Sequence, residues 1–203
     1  EKLLVPNYLD NFTGAQFLTE VQGGSDVGLN ATKAFQDEKG QWRIRGEKWF
    51  CSNANAELIL MTARFDESIP GTKGLGLFLV PAKLESGERN HYIFRRLKDK
   101  IGTRSMASAE INFNDAYAIP MGEPSQGFKL VMENVLHLSR LFNTFCMLGM
   151  AHRAFQIALA YAKHRIAFGQ AIINYPLVKE NLALIKAENT AMLASIFATT
   201  RLQ

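Results

Sequence analysis

Cysteine is scarce in this chain of 203 residues: only Cys51 and Cys146, far apart and each within an apolar stretch. That excludes a disulfide framework and any CxxC metal or redox pair. It makes a reduced, cytoplasmic setting the expectation. The four histidines, His91, His137, His152 and His164, show no ligand spacing with cysteine or carboxylate, so no metal site is expected. No run approaches the ~20 uninterrupted apolar residues of a membrane helix, so no membrane insertion is expected. Ser105 and Ser139 lack the paired His and Asp arrangement of a hydrolase triad. The opening EKLLVPNYLDNFTG has neither an initiator Met nor the basic region of a signal peptide, and AMLASIFATTRLQ ends without a helix stop. Both ends read as cuts within a longer protein. A net charge of +4 is too small to argue for nucleic acid by itself.

What is present falls into two halves. A hydrophobic content of 47% with 21% charged residues is ordinary for a globular protein. From about Ala15 to Ile119 short strand-like runs, such as WRIRGEKWFCS and ELILMTARF, alternate with turn clusters such as DEKGQ and ESGERN. Trp42 and Ile44 alternate with Arg43 and Arg45, as on a half-buried strand. With no helix between the runs, an antiparallel β-sandwich or barrel is expected. After Pro120 the apolar spacing becomes helical: a short helix near Phe128–Leu138, a long one near Arg140–Ile166, and a third from Pro176. The long helix is apolar around much of its surface and needs neighbours on several sides. The chain therefore reads as α+β, with a β-domain followed by part of an antiparallel helix bundle.

Four stretches could carry chemistry. In TEVQGGSDV (19–27), Gly23 and Gly24 permit close backbone approach, and Ser25 with nearby amides can donate to phosphate. It is neither a GxxxxGK[ST] loop nor a GxGxxG fingerprint in a βαβ unit, and composition alone favours a strand-ending turn. In GEKWFCSN (46–53), alternation places Trp49 and Phe50 on opposite faces, with Ser52 on the side of Phe50. RRLKDKIGTRS (95–105) is a solvated hairpin or a phosphate clamp. In HRIAFGQ (164–170), His164 and Arg165 suit a helix C-terminus and Gly169 a helix stop. Both cysteines read as small core residues.

The order of these stretches, with GLGLFLVP, KIGTRSMASAEINFNDAYAIP and QGFKLVM between them, resembles the acyl-CoA dehydrogenase family over nearly the whole chain. The resemblance implies residues 1–13 as the tail of a helical N-terminal domain, 14–120 as the middle β-domain, and 121–203 as the first part of the C-terminal bundle. It is strongest to a bacterial adaptive-response branch, associated with protection from DNA alkylation and similar to isovaleryl-CoA dehydrogenases. It implies FAD as cofactor. Leu18 and Thr19 would meet the pyrimidine edge of the flavin, Gly24 and Ser25 the pyrophosphate, and Phe50 the ring, with Ser52 near N5. Arg165 and Phe168 would reach the FAD of a neighbouring subunit. Arg140 would lie near the acyl-CoA entrance, although His137 replaces an acid often found three residues earlier. Pro176 stands where many relatives have a glutamine facing the adenosine part.

The implied reaction is α,β-dehydrogenation of an acyl-CoA thioester by a homotetramer or homodimer, with an electron-transfer flavoprotein or oxygen as acceptor. No catalytic residue is assigned. Most relatives place the base beyond Gln203; another group places it where Ser139 stands here, and Glu20 and Asp26 read as scaffolding. The chain alone is expected to be inactive and to bind FAD weakly. The alternative is an adaptive-response flavoprotein that binds DNA, with dehydrogenation secondary.

Overall fold

The computed structural model describes residues 2–7 and 9–202, in two units, Glu1–Glu133 and Asn134–Gln203. In the first thirteen residues Glu1 and Tyr8 lie outside the described set, and Lys2–Leu4 forms one 3-10 turn.

The first unit carries seven strands: β1 (Gly14–Phe17), β2 (Lys33–Gln36), β3 (Trp42–Ser52), β4 (Leu58–Arg64), β5 (Leu75–Pro81), β6 (Tyr92–Leu97) and β7 (Ser108–Pro120). Strands β4, β2, β3, β7 and β5 close into a ring, because β5 pairs with both β7 and β4. Closure between β2 and β4 rests on a single residue pair, Lys33 with Arg64. A closed ladder removes the exposed edges of an open sheet. Ile44, Ile59, Met61, Phe78, Val80 and Ile111 are fully buried in the core. As the alternation requires, Ile44 points inward while Trp42 is half-buried, its ring 5.2 Å from that of Phe78.

The expectation of a wholly antiparallel sheet is corrected at one edge. Strand β1 runs parallel to β4, Gly14 opposite Leu58 through Phe17 opposite Met61, and the β2–β4 contact is parallel too. A parallel pair needs a long crossover, usually a helix. Here the β2–β3 hairpin serves as the crossover, so the absence of helices did not exclude parallel pairing.

Two bulges shape the β3–β7 ladder. Ile44 faces Ala116 while Arg45 faces Asn114, so Asp115 is extra and sits at φ +60°. Aspartate tolerates this region, and Asp115 accepts two 2.6 Å hydrogen bonds from Arg45. Further along, Lys48 faces Ile111 and Cys51 faces Ala109, so β3 carries the extra residue, and Phe50 sits at φ +53°. For a bulky aromatic that conformation is strained.

After β7, α1 (Gly127–Leu130) runs into a π-helix, Val131–Leu136. Gly127 is required here, since a Cβ would lie 2.1 Å from the Leu77 nitrogen. The second unit begins with Asn134 and holds α2 (His137–His164), a two-stranded ribbon of β8 (Ile166–Ala167) and β9 (Gln170–Ala171), and α3 (Pro176–Arg201). The expected break at Ser139 does not occur. No Gly or Pro interrupts the chain there, and the Ser139 hydroxyl donates back to the Val135 carbonyl at 3.0 Å. Helix α2 ends at His164 instead of Ile166, and Gly169 is no helix stop. Phe168 (φ +51°) and Gly169 (φ +83°) form a two-residue turn between β8 and β9, with the paired positive φ of a tight hairpin. On α2 Leu141, Phe145, Leu148, Phe155 and Ala162 form a partly or fully buried stripe at steps of four, three, seven and seven residues, while His152, which the three- and four-residue steps would include, is exposed. Phe145 meets Phe197 of α3 edge-on at 5.5 Å. Phe142, Met147, Met150 and Ile157 remain exposed, as does Cys146, which is therefore no core residue. Among the described residues no helix is long and apolar enough to cross a membrane.

Candidate functional site

The polar loop after β1 is held from within. Lys48 and Glu20 form an ion pair at 2.5 Å with both side chains buried. The second Glu20 oxygen accepts the amides of Ala31 and Thr32 at 2.6 and 3.0 Å. Burial pushes the Lys48 ammonium below its usual range, against the attraction of Glu20. Asp26 caps the 3-10 turn Val27–Leu29 through the Gly28 amide. Both acids are thus scaffolding, and neither Glu20 oxygen is free to act as a base.

The Leu18 carbonyl is already engaged, accepting from Asn30 Nδ2 at 2.6 Å and Lys48 Nζ at 3.1 Å. Only the rest of its main chain could meet a ligand. The Thr19 carbonyl accepts the Trp49 amide at 2.8 Å, which sets the loop beside the β3 bulge. Among the described residues the Thr19 hydroxyl has no hydrogen-bond partner, so it remains available. Gly24 and Ser25 are exposed, and a Cβ on Gly24 would meet nothing within 4 Å. Gly23 is different, since its Cβ would lie 2.1 Å from Asn30 Oδ1. The first glycine serves the loop's packing, and the second leaves open surface.

At the bulge the opposite-face arrangement of Trp49 and Phe50 is overturned. The inserted residue breaks the period of two, and the two rings meet edge-on at 6.1 Å. Both flank one cation: Lys98 Nζ lies 3.8 Å from the Trp49 ring centroid and 4.4 Å from that of Phe50. Phe50 remains 60% exposed, an unusual place for a strained aromatic. Ser52 Oγ and Ser108 Oγ lie 2.9 Å apart, either able to donate, and Ser108 Oγ accepts from Lys100 Nζ at 3.1 Å. Cys51, between Phe50 and Ser52 in the sequence, is buried, and desolvation pushes its thiol up to about 12.

The basic stretch 95–105 does not form an open phosphate clamp. Arg95 pairs with Glu47, Arg96 and Lys98 share Glu110 at 2.8 and 2.9 Å, and Arg104 pairs with Asp99 at 2.9 Å. The Arg96 and Lys98 hydrogen bonds hold the Glu110 carboxyl down at about 2.

In the second unit Arg140 is exposed near the start of α2, and Arg165 follows its end. Along 25 residues of helix these positions stand about 37 Å apart. Phe168 is 97% exposed at the tip of the ribbon, its ring edge-on to Tyr175 at 6.4 Å. The Tyr175 hydroxyl donates to the Ala167 carbonyl at 2.8 Å and braces the turn. Among the described residues neither arginine's guanidinium has an ion-pair partner.

The structure ties Leu18 and Thr19 to the end of β3 that carries Phe50 and Ser52, with exposed Gly24 and Ser25 further along the same loop. Lys48, Lys98, Lys100 and Ser108 support this region; Lys98 and Lys100 were read only as part of a solvated hairpin or phosphate clamp, and Lys48 and Ser108 were not singled out from the sequence. An open glycine, a free hydroxyl and an exposed aromatic face suit a flat, polar, phosphate-bearing ligand such as FAD.

Comparison with known proteins shows the family. Residues 15–116 match the acyl-CoA dehydrogenase middle domain, and residues 125–203 match the acyl-CoA dehydrogenase C-terminal domain. Acyl-CoA dehydrogenase family member 11 of Caenorhabditis elegans is 34% identical over 94% of this chain and 32% of its own length. AidB of Escherichia coli (strain K12) is 35% identical over 91% of this chain and 33% of its own. The structure of Caenorhabditis elegans ACDH-11 in complex with C11-CoA superposes with a TM-score of 0.84, covering 93% of this chain and 32% of that one. This chain spans about a third of the length of these relatives. With two domain matches that leave few residues uncovered, the chain belongs to the acyl-CoA dehydrogenase family.

Proposed function

We propose that the full-length protein containing this chain is an FAD-dependent acyl-CoA dehydrogenase that removes hydrogen from Cα and Cβ of an acyl-CoA thioester. The observation that carries this reading is the Trp49 amide bond to the Thr19 carbonyl, which joins the glycine loop to an exposed, strained Phe50. FAD, when bound, supplies the hydride acceptor. In this chain Phe50 offers a ring face, and the Thr19 and Ser52 hydroxyls hydrogen-bond the ring's polar edge. Gly24 and Ser25 approach the pyrophosphate, and the Leu18 main chain contributes beside Thr19. Arg165 and Phe168 serve a neighbouring subunit of a homodimer or homotetramer. Their distance from Arg140 along one helix supports a division of labour between subunits. Arg140 faces the acyl-CoA entrance.

The α-proton requires a carboxylate base. Near the platform Glu20, Glu47 and Glu110 are all engaged in ion pairs, and Ser139 cannot replace one. As the family resemblance implies, the base comes from sequence outside these residues. The 203-residue chain alone turns over no substrate and binds FAD weakly. A cytoplasmic location and an electron-transfer flavoprotein as acceptor complete the proposal.

The DNA-binding alternative gains little from the geometry, because most of the basic stretch is occupied in ion pairs. Anaerobic addition of isovaleryl-CoA and short straight-chain acyl-CoA to the FAD-loaded full-length protein tests the reading. Flavin bleaching with release of enoyl-CoA is expected. An unbleached flavin together with salt-dependent DNA binding favours the alternative.

A further inference from the structure

The cations of residues 95–105 have no part in the dehydrogenation itself, yet two of them reach the platform. Lys98 is largely covered, its side chain 15% exposed, and its ammonium touches both the Trp49 and Phe50 rings while bonding Glu110. Such a cation attracts the negative face of each ring. It therefore holds Phe50 in a conformation that its backbone disfavours. Lys100 acts on the hydroxyls. An ammonium has only protons to give, so Ser108 Oγ accepts from Lys100 and has its own proton to send to Ser52 Oγ, in a bond where either hydroxyl can be the donor. In that arrangement the Ser52 proton points outward and Ser52 is a donor. The charge around the platform is also unbalanced. Arg95, Arg96, Lys98 and Lys100 stand against Glu47 and Glu110, and Glu47 also accepts from the Trp49 indole at 2.8 Å.

We propose that Lys98 and Lys100 are positioning residues for the flavin: Lys98 fixes the Phe50 face, Lys100 orients Ser52 as a donor through Ser108, and their charge favours the electron-rich reduced ring. The inference rests on the FAD-site reading. It differs from a phosphate clamp, in which the same lysines would face a ligand directly.

The test compares FAD affinity and midpoint potential of the full-length protein with those of Lys98→Met, Lys98→Arg and Lys100→Met. Lys98→Met leaves Glu110 paired with Arg96, so the carboxylate is not orphaned. Both Met variants should show a more negative midpoint potential, and Lys98→Met should bind FAD about tenfold more weakly. Lys98→Arg should restore both readouts, and Lys100→Met should report through the potential even if Lys98→Met folds poorly. Failure of the wild type to bind FAD would overturn the site reading itself. A flavin-loaded wild type whose Met variants keep its potential and affinity would overturn this proposal alone.

Discussion

Lys48 Nζ lies 2.5 Å from Glu20 Oε1, with neither side chain meeting solvent. This pair fastens the TEVQGGSDV loop to the strand that carries Phe50. Removing one partner leaves the other buried and uncompensated, at a cost of about 3–5 kcal/mol. Glu20→Gln and Lys48→Met should each lower stability by that amount in urea unfolding. Combined, they should cost less than the sum of the singles, because no charge is then stranded.

The two loop glycines should part company. Gly23→Ala drives a Cβ against Asn30, which is itself held by its bond to the Leu18 carbonyl. A loss of about 1–3 kcal/mol is expected from such overpacking. Gly24→Ala meets open space and should stay within about 0.5 kcal/mol of wild type. Thermal melts of both variants check the contrast.

Phe50 in the left-handed region carries a strain of about 1–3 kcal/mol. Phe50→Gly should therefore melt at or above the wild-type temperature while binding FAD far more weakly. A large loss of stability would place Phe50 among the structural residues.

Acid should act through Glu110. Its carboxyl titrates at about 2 in the folded state because of Arg96 and Lys98, against 4.5 when unpaired. A depressed folded value contributes stability that is complete above the unfolded value. That contribution is lost as pH falls from about 4.5 towards about 2. Glu110→Gln should flatten the pH dependence of the melting temperature across that window.

Thiol chemistry separates the two cysteines. Cys51 is buried with its thiol pushed up to about 12, while Cys146 is exposed. A thiol reagent at mildly alkaline pH should label only Cys146 in the native chain and both after denaturation.

The strands were legible because period-two alternation and turn clusters survive without tertiary context. The platform geometry was not, since one inserted residue at Phe50 turns a ring to the other side and leaves no mark in composition. The buried lysine did leave a signal. Counting by twos from inward-facing Ile44 places Lys48 on the interior, where it demands a carboxylate, and Glu20 answers it. The helix end was misjudged because Gly169 resembles a helix stop, whereas Phe168 before it shares a positive φ and makes a hairpin turn. Lys98 and Lys100 looked like a solvated charge run because their partners, Glu110 and Ser108, lie across the sheet.

The central claim is that the open glycine loop and the bulge together hold FAD. Titrating FAD into the full-length protein and its Gly24→Leu variant tests it most directly. The account predicts tight binding by the wild type and at least about tenfold weaker binding by Gly24→Leu, a loss of ~1.4 kcal/mol, with an unchanged melting temperature. Equal FAD affinity in the two proteins would contradict it.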